Sequence, residues 1–215
     1  MNMNIKPILA SVALACSAVA AHADEVYGGI GFPGLVLGYA APLSNGLTVR
    51  GEFAGGLSMS RNGQREGMDY SGELKSQRLG AFVDWFVFSG GFRLTGGLTA
   101  NDIKVQLNGK GGSGKINGKT VDLTGETFNV TIKYPQATPY LGLGWGHQAS
   151  PDKGLGFFAD LGVTVGKFDA SATTSLVGKQ GITQADVDQE VSKVRDSLSK
   201  LAVLPAVSIG LTYRF

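Results

Sequence analysis

The sequence predicts an all-β fold, an eight-stranded antiparallel transmembrane barrel, and three observations carry the prediction. From residue 24 onward, apolar side chains recur at every second position in segment after segment, the period of a strand whose two faces meet different surroundings. The opposite faces are mostly glycine, threonine and serine rather than charged, and 33 of the 215 residues are glycine. Such faces clad a water-exposed sheet poorly, but they fit the narrow interior of a closed barrel whose apolar side meets lipid. Finally, short connections alternate with long ones, as where one rim carries tight turns and the other carries loops.

Taken in order, residues 1–23 read as a signal peptide. Lys6 precedes an apolar run over residues 8–21, relieved only by Ser11, Cys16 and Ser17. The run closes on Ala21-His22-Ala23, an A-x-A cleavage site, and Asp24-Glu25 follows at once. At about 14 residues it is shorter than the ~20 that span a bilayer as a helix. Cleavage is expected after Ala23, with residues 24–215 forming the barrel domain. The rival reading, a lipoprotein signal at Cys16, is disfavoured because Leu14 stands one place too near the cysteine.

The remaining chain has 18 basic and 17 acidic residues, no cysteine, and His147 as its one imidazole. A balance so near neutral argues against a nucleic-acid partner led by net charge. The scarcity of Cys and His argues against a zinc site or a disulfide framework, and no cofactor is implied.

Eight strands follow. Residues 26–32 and 35–43 flank Pro33-Gly34. Leu47, Val49, Phe53 and Leu57 oppose Thr48, Arg50, Glu52 and Ala54. Leu79, Ala81, Val83, Trp85 and Val87 oppose Arg78, Gly80, Phe82 and Asp84. Residues 92–100 carry Arg93 on their polar face, and 139–147 set Leu141, Leu143 and Trp145 against Gly142, Gly144 and Gly146. Leu155, Phe157, Ala159, Leu161 and Val163 oppose Phe158, Asp160 and Gly162. The last strand sets Val207, Ile209, Leu211, Tyr213 and Phe215 against Ser208, Gly210, Thr212 and Arg214. Membrane strands need about 9–11 residues each, so the rest of the chain belongs to connections.

With both termini at the periplasmic rim, the connections at 44–46, 89–90 and 150–153 are periplasmic, and all are short. Residues 59–70, 102–138 and 168–204 then form external loops, and the first external connection, Pro33-Gly34, is the tight exception. Ile103, Val105 and Leu107, with Phe128, Val130, Ile132 and Tyr134, indicate a hairpin continuing above the membrane. Both runs change face relative to their strands, so a bulge or bend is expected near Asn101 and Pro135. The alternative is two further strands and a ten-stranded barrel.

The last loop predicts a helix. Thr183 is the N-cap with Asp186 three residues on, a capping box, and Ile182 and Val187 occupy the staple positions. Val187, Val191, Val194, Leu198 and Leu201 form one apolar stripe. Such a helix is either a lid or partner-binding element, or a helix packed on its own loop or in the headgroup zone; the second is favoured.

Of the polar constellations, the largest is Arg50, Glu52, Arg78, Asp84, Arg93, Asp160 and Arg214 on lumen-facing positions. Unpaired charges in a narrow lumen are costly, so an interior salt-bridge network that plugs the barrel is expected, against the alternative of charges solvating a wet lumen. Residues 109–115, Gly-Lys-Gly-Gly-Ser-Gly-Lys, approach a phosphate loop but fail at Ile116, which stands where Ser or Thr is needed; a flexible loop is the reading. Lys110, Lys115 and Lys119 there are candidates for lipopolysaccharide phosphates, although a solvated charge run explains them as well. His147, beside the turn at 150–152, reads with Trp145 as part of an interfacial girdle, and no catalytic residue is assigned.

The signal ending Ala21-His22-Ala23, the glycine-rich alternating strands and the terminal run Ile209-Gly210-Leu211-Thr212-Tyr213-Arg214-Phe215 together resemble the small outer-membrane β-barrels of Gram-negative bacteria, the OmpA, OmpX and OmpW type. The resemblance spans residues 24–215 at the level of pattern. It implies export to the outer membrane, contact with outer-membrane lipid and lipopolysaccharide, and Tyr213 and Phe215 as the signal read by the barrel-assembly machinery. On function, the expectation is a non-enzymatic structural or surface-interaction protein with a plugged lumen and an extracellular partner left unnamed. A narrow channel for small or apolar solutes, like the OmpW type, is the alternative.

Overall fold

The structure, a computed structural model, describes residues 24–44, 46–65, 68–88, 90–147 and 153–215. The signal-peptide expectations, Ala21 and Ala23 included, and the turn at 150–152 lie outside these residues. Twelve strands and one helix are present among them: β1 (Glu25–Phe32), β2 (Gly34–Ser44), β3 (Leu47–Arg65), β4 (Met68–Trp85), β5 (Phe92–Lys110), β6 (Ser113–Ile116), β7 (Lys119–Asp122), β8 (Thr127–Lys133), β9 (Ala137–Trp145), β10 (Gly154–Val165), β11 (Asp169–Thr174), α1 (Gln184–Ser199) and β12 (Val203–Arg214).

Antiparallel pairing runs β1-β2-β3-β4-β5-β9-β10-β12, and β12 returns to β1, so eight strands close a ring. The seam joins the two ends of the chain, with Glu25 opposite Arg214 and Phe32 opposite Val207. β8 and β11 belong to the same sheet but sit outside the ring, β8 on the upper part of β5 and β11 on β8. The fold is therefore the eight-stranded barrel, and the two extra strands widen its wall above the ring instead of entering it.

Around the ring, outward positions are apolar and exposed: Ile30, Leu37, Leu79, Leu98, Leu141 and Leu155 are each at least 59% accessible. A continuous apolar belt of this extent suits hydrocarbon and would be an aggregation hazard in water. Trp85, Phe88, Trp145, Tyr213 and Phe215 are exposed at the rim that holds the chain ends, placing aromatic rings at one edge of the belt.

Three strands are far longer than the sequence pattern predicts. β3, β4 and β5 run 19, 18 and 19 residues, on the order of 60 Å at strand rise. Residues 59–65 and 68–70, expected within a loop, are instead the tops of β3 and β4, paired from Ser58–Lys75 to Arg65–Met68. Above the belt the two faces exchange character. Leu57, Leu74, Ile103, Val105, Val130 and Ile132 follow the inward register, while Ser58, Glu73, Lys75, Asp102, Lys104 and Gln106 face out. The medium explains the inversion: once the wall leaves lipid its outer face meets water, and its inner, concave face becomes the sheltered one.

That inversion corrects the bulge expected near Asn101, while a bend does stand beside Pro135, at Gln136. Residues 94–110 of β5 keep a single register with β4, so Asn101 carries no bulge. β8 and β9 pair with β5 in one common register on either side of residues 134–136, so Pro135 interrupts the strand without shifting it. The sequence itself swaps apolar and polar positions there. A bulge lies instead in β3, between Gly55 and Leu57, where Gly56 has φ +85°. It turns Leu57 inward although Phe53, on the same parity, faces out.

Residues 109–122 are not a flexible loop. β6 and β7 form a hairpin closed by Asn117 (φ 51°) and Gly118 (φ 80°), the two-residue Asn-Gly turn whose twist matches strand twist. The dipeptide stands in the sequence as a hairpin signal that the alternation argument passed over.

Candidate functional site

Two regions concentrate polar chemistry, the lumen of the ring and a folded crown over its upper rim.

In the lumen, inward positions of β3, β4, β5 and β10 bring six of the seven expected charges together. Asp84 accepts hydrogen bonds from Arg50, through Nε and through Nη2 at 3.3 Å, and from Thr95 Oγ1 at 2.6 Å; Arg93 Nε lies 3.3 Å away. Glu52 accepts from Arg78 Nη2 at 2.7 Å, from Arg50 Nη1 at 3.5 Å and from Tyr27 Oη at 3.2 Å. Asp160 pairs with Arg93 Nη2 and lies 3.6 Å from Arg50 Nη1. Arg50 is thus shared among three carboxylates, with the rings of Phe82 and Tyr27 centred 5.2 and 5.6 Å from its guanidinium carbon. The planar fork of arginine suits such bridging, and ring faces favour cations.

The seventh residue, Arg214, is drawn elsewhere. At the rim holding the chain ends it meets Glu25 at 3.2 Å, and Glu25 also bonds His147 Nδ1. His147 is a correction: it is fully buried inside the barrel and is not part of the girdle that Trp145 joins. The cause is local backbone. Gly146 and His147 have φ of +86° and +51°, which ends strand alternation and swings the imidazole inward, where it stacks on Phe158 and meets the edge of Tyr27. A side chain at position 146 would collide with Phe157 O at 1.9 Å. His147 Nε2 lies 3.9 Å from Asp160, linking this floor cluster to the network above.

Sequence reasoning missed Glu25, which brings the buried charges of the barrel interior, among the described residues, to four arginines and four carboxylates. Its position was legible, since Val26 and Ile30 face out and the alternate positions Glu25 and Tyr27 must face in. Glycines make the space. A Cβ at Gly144 would fall 2.1 Å from Asp160 Oδ1 and 2.7 Å from Arg93 Nη1. Gly142 and Gly144 therefore hold interior room, as their alternation suggested. Aromatic side chains fill the remainder: Tyr27 and Phe158 pack with Val36, Ala40 and Ala54, and Phe82 and Tyr140 pack with Ala206.

The crown combines both long connections. α1 begins as the sequence predicts: Thr183 caps it with a full capping box to Asp186, and the staple residues Ile182 and Val187 are both buried. Of the stripe, Val187 and Val191 are buried, Val194 and Leu198 are half-buried, and Leu201 lies exposed beyond the helix end. The helix packs on β11 and on the β6–β7 hairpin, sharing a core of Ile116, Val121, Leu123, Leu176, Ile182 and Val187. Lys119 does not point to the membrane: its ammonium bonds Asp186 at 2.8 Å and Gly181 O at 3.0 Å, while Asn117 Nδ2 donates to Asp186 at 3.0 Å. Lys115 is exposed on the same hairpin. The side chain of Lys110 lies outside the description.

Crown carboxylates are held in their charged form. The Lys119 ammonium, then Asn117 and Thr183, hold Asp186 well below the usual carboxylate range. Lys179 lowers the pKa of Glu126, and Thr124 that of Asp122. A folded-state pKa below the unfolded one contributes stability that is present above the unfolded value and lost as pH falls through the folded one. Hydrogen-exchange protection of α1 and the β6–β7 hairpin is therefore expected to persist at pH 7 and to fall below about pH 4. Asp186→Asn should lower it already at pH 7. Equal crown protection at pH 7 and pH 3 would contradict this account.

No known family profile matches the chain, and no curated protein matches it in sequence. Among solved structures, Acinetobacter baumannii CarO is similar at a TM-score of 0.55 and 16% identity, over 89% of this chain and 97% of that one. Acinetobacter baumannii CarO2 is similar at 0.58 and 15%, over 90% of this chain and 99% of that one. At such identities what the likeness carries is architecture, and this chain shares the barrel fold of the CarO structures along nearly its whole length.

Proposed function

We propose that the protein is an integral outer-membrane barrel of a Gram-negative envelope with a closed lumen, acting as a structural or surface-interaction protein through its crown. The apolar belt, the aromatic rim and the barrel likeness support the membrane placement. Export through a cleaved signal at 1–23, and recognition of Tyr213 and Phe215 by the assembly machinery, belong to the same reading.

One observation carries the closed lumen. Side chains lining an aqueous pore present their surface to the water within it, yet Arg50, Glu52, Arg78, Asp84, Arg93 and Asp160 are at most 8% exposed. They are paired with one another, with Phe82, Tyr140 and Phe158 packed among and beside them. A catalytic role is not part of this reading, since the one imidazole is enclosed by Glu25, Tyr27 and Phe158.

Planar-bilayer recording of the refolded chain from residue 24 onward tests the proposal. The wild type should be silent, and the double substitution Arg50→Ala, Glu52→Ala should open steady ion currents by removing the shared arginine and the carboxylate between two cations. Sustained conductance by the wild type would overturn the closed lumen and make the protein a narrow channel.

A further inference from the structure

On the outer wall, just above the apolar belt, three lysines occupy one rung of the sheet. Lys75 of β4 pairs in register with Lys104 of β5, and Lys104 with Lys133 of β8. Adjacent strands are about 4.8 Å apart, so three ammonium groups crowd within roughly 10 Å. Like charges directly opposite one another weaken a sheet, and a cross-strand run of three needs an anionic counterpart. The wall supplies only part of one. Asp102 lies 3.0 Å from Lys75 and 3.3 Å from Lys104. Asp169, opposite Lys133, is engaged by Arg195 at 2.7 Å, and Glu73 stands on the next rung away from the belt, opposite Gln106. Two positive charges remain in excess on the row.

Its height decides what could neutralise it. Leu79 and Leu98, 59% and 68% exposed, mark the top of the belt on these strands. Lys75 stands four residues above Leu79, about 13 Å along the strand, within reach of a lysine stem bent toward the headgroup layer. Resting on the membrane placement proposed above, we infer that Lys75, Lys104 and Lys133 form a binding row for the phosphate monoesters of an outer-leaflet lipid headgroup. A compact, multiply charged anion matches the excess, whereas a phosphocholine headgroup is neutral overall. Of the crown lysines, Lys119 does not compete, because its ammonium is held by Asp186.

The test places the refolded chain in phosphatidylcholine nanodiscs doped with diphosphorylated lipid A or with its dephosphorylated form, and counts retained glycolipid by native mass spectrometry. The wild type should prefer the phosphorylated form on the order of a hundredfold, from three near-surface lysines. Lys75→Gln, Lys104→Gln, Lys133→Gln should abolish the preference, and the crown control Lys115→Gln, Lys200→Gln should keep it. Equal retention of both lipids by the wild type would overturn the row, a comparison that needs no variant to fold. Loss of the preference in the crown control alone would overturn it too. Displacement of lipid A by inorganic phosphate at matched concentration would overturn the headgroup assignment. Failure to insert into plain phosphatidylcholine vesicles would overturn the membrane placement itself, separately from the lysine row.

Discussion

Replacing Asp84 by alanine is expected to cost the barrel about 3–5 kcal/mol, the penalty for leaving buried charges without their partner. Asp84 has no exposed surface and holds Arg50 and Arg93 at once. Without it, the carboxylates left to Arg50 are Glu52 and Asp160, at the longer distances of 3.5 and 3.6 Å, beside its hydrogen bond to Tyr27 Oη at 3.2 Å. Water cannot take the vacated place cheaply, because the surrounding lumen is filled by side chains. A second substitution separates this from a simple packing loss. Asp84→Leu combined with Arg50→Met removes both members of the strongest pair, so it should recover most of the stability lost in Asp84→Ala. Urea titration of folded protein in lipid vesicles reads both. An Asp84→Ala variant within about 0.5 kcal/mol of wild type, the range of an unremarkable surface change, would mean that the network contributes little.

Phe158→Ala should be as damaging for a different reason, costing about 3–5 kcal/mol through the cavity it leaves. The ring is fully buried, edge-on to Tyr27 with centroids 5.3 Å apart and stacked on His147 at 4.8 Å. It rests on a bare stretch of wall where Gly29 and Gly210 face each other across the seam. A Cβ at Gly210 would lie 2.5 Å from the Phe158 ring and 2.2 Å from Gly28 O. Gly210→Ala should therefore destabilise the same layer by overfilling it. The pair of results, a loss on emptying and a loss on overfilling, distinguishes a packed layer from a loosely occupied lumen. If the same urea titration finds either change neutral, the floor is not close-packed.

Much of this architecture could be read from the sequence because a barrel in lipid writes its two media into alternate residues. The eight ring strands, the inward face carrying Arg50 to Asp160, and the capped helix at Thr183 all follow from local periodicity and side-chain chemistry. What stayed hidden lies where that code changes. The tops of β3–β5 reverse their inner and outer character without a break in pairing, so a reversal of pattern looked like a bend or a loop. His147 was misplaced because two residues of left-handed backbone override strand parity, and Gly146 was read only as lumen space. Glu25 stands beside the expected cleavage site, at the very start of the first strand, where too few residues precede it for alternation to mark its face from that side.

The seam between β1 and β12 gives the charge network a further consequence, in the order of assembly. Its members come from β1, β3, β4, β5, β10 and β12, and the floor cluster joins the first residues of the barrel to the last. An unclosed sheet therefore leaves Arg214 and Glu25 apart, which raises the cost of stopping there. A slip of one residue at closure would turn the inward groups of the last strand, Arg214 among them, to the lipid. A slip of two would carry Arg214 nearly 7 Å past Glu25, beyond ion-pair reach. Only the native alignment neutralises the interior, so the buried ions act as a register check that the last strand must pass before the wall can close.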